Sequence, residues 1–321
     1  MASAQPDPNF WEEKKVTVTG GAGFLGKATV RQLEELGAYV RVIRSAEHDL
    51  RDAEQTRDAV DGAEVVLHLA ARVGGIGFNR RNPAPLAYDN TIMGTHIFEQ
   101  SRLAGVRKLV AACSVCAYPK FTPVPFSEDT LWDGYPEESN APYGLAKKML
   151  IVLSDAYRRQ YGFDSCAPIM ANLYGPYDNF DLEDSHVIAA MIRKFVEARD
   201  RGDASVTLWG TGSPSREFLY VDDAARGLIL AAERLSSSQP VNIGTGVETR
   251  IRDLAETIHK LSGFEGSVEW DTSMPDGQPT RYLDVSRARS LFGFEAETPL
   301  EEGLRRTIES FREQQAPAAA S

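Results

Sequence analysis

Two rhythms of hydrophobic and polar positions alternate along the first half of the chain. "KKVTVTG" (14–20) is a β-branched run that stops at glycine and predicts a first strand. "GGAGFLGKATVRQLEELG" (20–37) spaces its apolar residues three and four apart behind a glycine turn, which predicts an amphipathic helix closed by Gly37. Strands follow at "AYVRVIR" (38–44), "AEVVLHLAA" (63–71) and "VRKLVAAC" (106–113). Helices follow at "NTIMGTHIFEQSRLAG" (90–105) and "APYGLAKKMLIVLSDAYRRQYG" (141–162), the second with Pro142 in its first turn. "FDSCAPIMAN" (163–172) reads as one more short strand. Strands alternating with helices predict an α/β fold: a Rossmann-type parallel sheet with helices on both faces.

The rhythm changes after Asn172. "LYGPYDNFDLEDS" (173–185) is a loop rich in Pro, Asp and Asn, followed by a helix at 186–202 and two short strands around a turn within 205–223. A helix at 222–235, a strand at 240–246 and helices at 250–263 and 300–314 complete the reading. This second part predicts a smaller mixed C-terminal substrate domain. The expected division is residues 1–172 and about 216–245 for the sheet, with about 173–215 and 246–321 for the smaller domain. The leader "MASAQPDPNFWEEKK" lacks the charge and apolar core of a signal peptide and reads as a short flexible lead-in. The tail "QAPAAAS" (315–321) reads as disordered.

Composition narrows the function classes. Of 321 residues, 42% are hydrophobic and 25% charged, ordinary for a globular protein, and no apolar run is long enough to span a bilayer. The net charge of −11 argues against nucleic-acid or anionic-membrane partners, although a few local cations can still hold a diphosphate. Three cysteines, Cys113, Cys116 and Cys166, lack metal-ligand spacing, so no metal is expected; a reduced, cytoplasmic protein is.

Two motifs carry chemistry. Gly20, Gly23 and Gly26 form G-x-x-G-x-x-G between the first strand and a helix, where backbone amides can approach a pyrophosphate. The second strand ends in Arg44 and Ser45 without an acid, which favours NADP(H) over NAD(H). The second motif is Ser114 with Tyr143-x-x-x-Lys147. Tyr143 and Lys147 share one helix face, and a nearby ammonium is expected to lower the phenol's pKa into a useful acid–base range. Ser114, at the end of the fourth strand, can bond the same substrate oxygen.

The glycine turn, the Ser…Tyr-x-x-x-Lys set, "REFLYVDDAARG" and "VNIGTG" together resemble the extended short-chain dehydrogenase/reductase family over nearly the whole chain. Its nucleotide-sugar members are the nearest likeness. "AARVGGI", "CAYPK", "NLYGPYDNF", "SHVI" and "PDGQPTRYLDVSRAR" are similar to the GDP-4-keto-6-deoxymannose 3,5-epimerase/4-reductases among them. The resemblance implies Ser114, Tyr143 and Lys147 for reduction, and Cys116 with His186 for epimerisation. It places Gly20, Gly23, Phe24, Leu25, Gly26, Arg44, Ala70, Tyr143, Lys147 and His186 against the cofactor. Asn172, Lys194, Trp209, Arg216 and Arg281 fall against the nucleotide sugar, a GDP-sugar by this likeness. It also implies a homodimer through the helices at 90–105 and 143–157.

The chain departs from that pattern. Ala22 and Ala46 stand where these reductases carry arginines toward NADP, Lys194 stands where they carry arginine, and Cys113 and Val115 flank Ser114. An epimerase that retains NAD without net reduction therefore stays open. So do a plain 4-epimerase, which needs neither Cys116 nor His186, and a non-catalytic dinucleotide-binding protein. A 4,6-dehydratase would want acids after the serine, and "SVCAYPK" has none.

Overall fold

A computed structural model of the chain describes residues 3–182, 184–274 and 276–315. In chain order its strands are β1 (Lys15–Thr19), β2 (Tyr39–Ile43), β3 (Val65–His68), β4 (Lys108–Ala111), β5 (Cys113–Ser114), β6 (Ser165–Cys166), β7 (Ile169–Met170), β8 (Asn172–Tyr174), β9 (Ser205–Trp209), β10 (Ser215–Arg216), β11 (Phe218–Tyr220), β12 (Asn242–Ile243), β13 (Thr249–Arg250), β14 (Ser267–Asp271) and β15 (Thr280–Arg281). The helices are α1 (Pro8–Trp11), α2 (Phe24–Glu35), α3 (Ala53–Val60), α4 (Ile76–Arg81), α5 (Pro83–Leu103), α6 (Ala141–Tyr161), α7 (Val187–Arg201), α8 (Val221–Arg234), α9 (Ile251–Ser262), α10 (Ser286–Phe292) and α11 (Leu300–Gln315).

The main sheet has the order β2-β1-β3-β4-β6 and is parallel throughout. The chain moves outward from β1 in opposite directions to reach β2 and β3. That reversal opens a crevice at the strand ends, the place where doubly wound sheets bind ligands. A second parallel trio, β12-β7-β5, continues the ladder. The expected single strand at 163–172 is split into β6, β7 and β8. Pro168 has no N–H to give the ladder, while its carbonyl still accepts from Cys113 N at 2.8 Å.

One apolar core lies under this sheet, with Val18, Leu67, Phe98, Leu109, Val110 and Ile169 all buried; Leu283, Phe292 and Phe294 pack into it from late in the chain. A second core joins α7, α9 and α11 through Ile188, Phe195, Leu254, Ile258 and Phe311. The strands β9 and β14 pair in parallel over it, with Val206 and Leu208 facing inward.

Several expectations are corrected. The leader is not a loose lead-in from Asp7 onward: Asp7 caps α1, and Trp11 is fully buried with its indole N–H donating to Glu233 at 3.2 Å. The helix expected from residue 90 starts at Pro83, because proline at the first helical position sacrifices no hydrogen bond. The segment 205–223 forms three strands, not two. Helices α1, α3, α4 and α10 and strands β13, β14 and β15 have no counterpart in the sequence reading. The tail expected to be disordered lies outside the described residues, apart from Gln315, which ends α11.

Candidate functional site

The glycine turn is built as a cradle. Gly23 precedes α2, and a Cβ placed on Gly26 would stand 2.1 Å from the Gly20 carbonyl oxygen, so only glycine lets the helix start this close to β1. Gly20, Gly23, Phe24, Leu25 and Gly26 line the rim of a cleft of about 2230 Å³, with Arg44, Ser45 and Ala70 along the same wall. Ala22 and Ala46 line it too. This apolar-walled crevice at a helix N-terminus suits a dinucleotide pyrophosphate. Among the described residues no group of three or more His, Cys, Asp or Glu could hold a metal ion.

Ser114 ends β5, and its hydroxyl accepts from the backbone N–H of Cys116 at 3.2 Å, starting a single 3₁₀ turn over Val115–Ala117. That turn faces Cys116 toward the cleft. Helix α6 packs against it and sets the Tyr143 phenol beside Ser114, which acts to lower the phenol's pKa. One helical turn along, Lys147 Nζ donates to the Ala112 carbonyl at 2.9 Å and lies 5.9 Å from the centre of the Tyr143 ring. His186 precedes α7 and lines the same cleft. All five residues expected to carry chemistry are thus in one cavity.

Electrostatics modify one expectation. Burial pushes the Tyr143 phenol above its ordinary range, with the neighbouring Cys116 and Cys113 adding in the same direction. Burial also pushes Lys147 down to about 8. In the chain by itself Lys147 therefore does not lower the phenol, because its ammonium is desolvated and spent on Ala112. Tyr143 is held as an acid. Burial lowers His186, which favours the neutral imidazole, while Cys113 is pushed up to about 12 by burial and donates to the Lys147 carbonyl at 3.3 Å. Cys113 and Cys166 are buried, inert thiols, as free cysteines of a core are. His68, on β3, meets Thr19 Oγ1 at 2.8 Å and is a structural histidine.

The residues expected against a nucleotide sugar line the far end of the cleft. Arg216 and Arg281 sit in register on the parallel strands β10 and β15. Arg216 donates to the carbonyls of Ser215 and Gln278, both at 2.7 Å, and is pushed down to about 10 by burial and then by Arg281. Among the described residues no carboxylate bonds either guanidinium, so the two adjacent cations are arranged as an anion would need. Lys194 donates to the Thr207 carbonyl at 2.9 Å and lies 5.9 Å from the ring of Trp209, which is 65% exposed. Asn172 is the exception in kind: its amide donates to the Glu217 carbonyl at 2.9 Å and ties β8 to the segment before β11.

Sequence reasoning missed other residues on this wall: Asn79, Asn140, Asp178 and Ser185. Asp178 is a buried carboxyl pushed up to about 7 by desolvation. The signal available for Asn140 was its place immediately before the Ala-Pro start of α6; the others sit in loops or a short helix that periodicity does not mark.

The fold and this cleft define a nucleotide-dependent α/β enzyme class. The NAD dependent epimerase/dehydratase family matches residues 16–244, and the chain belongs to that family. It is 40% identical over 315 residues to GDP-L-fucose synthase of Escherichia coli (strain K12), covering 94% of this chain and 98% of that protein. It is 41% identical over 299 residues to GDP-L-fucose synthase 1 of Arabidopsis thaliana, covering 92% of each. Among solved structures, a GDP-L-fucose synthetase from Naegleria fowleri bound to NADP superposes with a TM-score of 0.86 at 30% identity, over 98% of each chain.

Proposed function

We propose that this protein is an NADPH-dependent epimerase/reductase of the GDP-L-fucose synthase type, acting on GDP-4-keto-6-deoxymannose. One observation carries the reading: the Ser114–Tyr143–Lys147 set and the Cys116–His186 pair line one cleft in a chain about 40% identical to GDP-L-fucose synthases over nearly full length. The glycine turn and Arg44 would hold the dinucleotide, and Arg216, Arg281 and Lys194 the nucleotide diphosphate. On this reading residues 1–172 and about 216–245 form the dinucleotide-binding domain and the rest the sugar-nucleotide domain. The assembly is a homodimer through α5 and α6, whose outer faces expose Tyr88, Leu145, Met149 and Val152.

The carbonyl at sugar carbon 4 acidifies the protons on carbons 3 and 5. Cys116 and His186 then act from opposite sides of the ring, one removing a proton as the base and the other returning one as the acid. The lowered pKa of His186 keeps its imidazole ready to accept. A reduced nicotinamide held by the glycine turn and Arg44 would supply the hydride for carbon 4. Tyr143, held protonated by burial, gives its proton to the developing alkoxide at oxygen 4, and Ser114 steadies that oxygen by a hydrogen bond. Lys147 fixes the floor beneath Tyr143 through Ala112.

The test is to release any dinucleotide from the purified protein, identify it by mass, and then supply GDP-4-keto-6-deoxymannose with NADPH. Stoichiometric NADPH oxidation and a GDP-6-deoxy-L-sugar product are expected. Tightly bound NAD, with epimerised but unreduced product, would replace this reading with a cofactor-retaining epimerase.

A further inference from the structure

Two buried oxygens beside the cleft find no hydrogen-bond partner among the described residues: Asn79 Oδ1 and Ser185 Oγ. Both residues line the cleft, and Ser185 immediately precedes His186. They flank a single contact. Asn79 N donates to the Gly75 carbonyl at 3.0 Å, one turn back in the chain, and Gly75 N donates to the Asp184 carbonyl at 2.8 Å. A Cβ at Gly75 would stand 2.9 Å from the Ser185 carbonyl oxygen, so the two segments touch there through backbone alone.

The Asn79 amide is paired at one end only. Its Nδ2 donates to Asn140 Oδ1 at 2.8 Å, and Asn140 is the residue preceding α6, whose own N–H is held by the Glu137 carbonyl at 3.0 Å. Turning both amides together would exchange donor and acceptor in that bond and would still leave the other end of the Asn79 amide unpaired. The free end of the Asn79 amide therefore lacks a hydrogen-bonding partner, and Ser185 Oγ is a hydroxyl able to donate and accept. An unsatisfied buried polar atom calls for an explanation, and a partner from outside the chain is one.

We propose that Asn79 and Ser185 are sugar-binding residues that read a ring hydroxyl of the hexose and so present its carbons to His186. This rests on the nucleotide-sugar reading above and adds to it the pair that recognises the sugar rather than the nucleotide. A sugar hydroxyl, which both donates and accepts, supplies the partner that Asn79 lacks. A site built to bond a hydroxyl discriminates against a ligand without one, because the ligand leaves the buried groups unpaired.

The test compares the full-length protein with Asn79→Ala, Asn79→Gln, Ser185→Ala and Asn140→Ala. Titration calorimetry measures binding of GDP-mannose and of GDP, and steady-state kinetics measures KM and kcat for the 4-keto sugar nucleotide. Asn79→Ala is expected to weaken GDP-mannose about tenfold and Ser185→Ala about fivefold, with GDP and NADPH affinities unchanged. KM for the 4-keto substrate rises in step, and Asn140→Ala, which frees the Asn79 amide but keeps its polar atoms, costs less GDP-mannose affinity than Asn79→Ala. The proposal is overturned if Asn79→Ala and Ser185→Ala both bind GDP-mannose as wild type does. It is equally overturned if Asn140→Ala reproduces the whole Asn79→Ala loss, which would make Asn79 only a prop for α6. Should Asn79→Ala not fold, Asn79→Gln and Ser185→Ala decide between the same two outcomes. Wild-type protein that binds GDP-mannose more tightly than GDP but turns over no 4-keto substrate sinks the functional reading, and the binding data on the variants then decide this one alone.

Discussion

A Cβ built on Gly144 would stand 2.2 Å from the carbonyl oxygen of Cys116. The residue after the tyrosine of the Tyr-x-x-x-Lys set is therefore the point where α6 rests on the turn that holds Cys116, and the contact is backbone against backbone. It joins the two chemistries of the cleft mechanically: moving α6 outward moves Tyr143 away from Ser114 and Cys116 together. Gly144→Ala is expected to cost about 1–3 kcal/mol of stability by overpacking. It should also lower both ring proton exchange and reduction. Urea unfolding, with deuterium incorporation and NADPH oxidation measured on the folded fraction, checks both. A variant of wild-type stability and activity would show that the helix yields freely there.

The two chemistries should separate at the side chains. Tyr143→Phe removes the proton donor for oxygen 4 but leaves Cys116 and His186 in place. Reduction is expected to fall by about 10²–10⁴-fold, the usual worth of a positioned general acid. Solvent deuterium should still enter at carbons 3 and 5, read by NMR of the recovered sugar nucleotide. Cys116→Ser and His186→Asn should show the reverse order, with exchange lost first. Equal loss of exchange and reduction in Tyr143→Phe would assign the phenol to ring deprotonation as well.

Much of this site is legible in the sequence because its residues are tied to elements with strong periodic signals. Gly20, Gly23 and Gly26 fall between a β-branched run and an amphipathic helix, and Tyr143 and Lys147 are four apart on the long α6. The main sheet is readable for the same reason. Asn79 and Ser185 are not, since a six-residue helix and the loop before α7 carry no period, and an orphaned oxygen exists only in three dimensions. Tyr143 departs from expectation because its spacing from Lys147 gives their proximity and not their shared desolvation. Trp11 reads as part of a loose leader because its partner, Glu233, lies 222 residues away.

Cofactor choice rests on few groups. Arg44 ends the second strand's run, and Ala22 and Ala46 leave it without help from the two neighbouring positions on the cleft wall. NADPH is expected to bind more tightly than NADH. Arg44→Ala should weaken NADPH about tenfold, a typical worth for one charge-assisted contact to a phosphate, and leave NADH unchanged. Fluorescence titration of both reduced cofactors measures the ratio. An unchanged NADPH affinity would remove Arg44 from the 2′-phosphate site.

The pH dependence of stability isolates His68. It is buried on β3, its ring bonded to Thr19 Oγ1 at 2.8 Å, and burial, with Lys147 adding, pushes it down to about 3. The unfolded chain's histidine takes up a proton near pH 6.5, whereas the native one does not until about 3. The unfolded state thus binds more protons across that window, and the contribution to stability, full above 6.5, is lost as pH falls through it. The slope from this one group is at most about 1.4 kcal/mol per pH unit. Asp178, pushed up to about 7, acts with the opposite sign: its contribution is present below its unfolded value and lost as pH rises through 7. The raw curve therefore mixes the two, and the informative quantity is the difference between wild type and His68→Gln, whose amide can still meet Thr19. Between pH 7.5 and 5, urea midpoints of the wild type should fall more steeply than those of the variant. Parallel curves would mean that His68 charges within the native fold, with Thr19 and the neighbouring backbone rearranging to accept it.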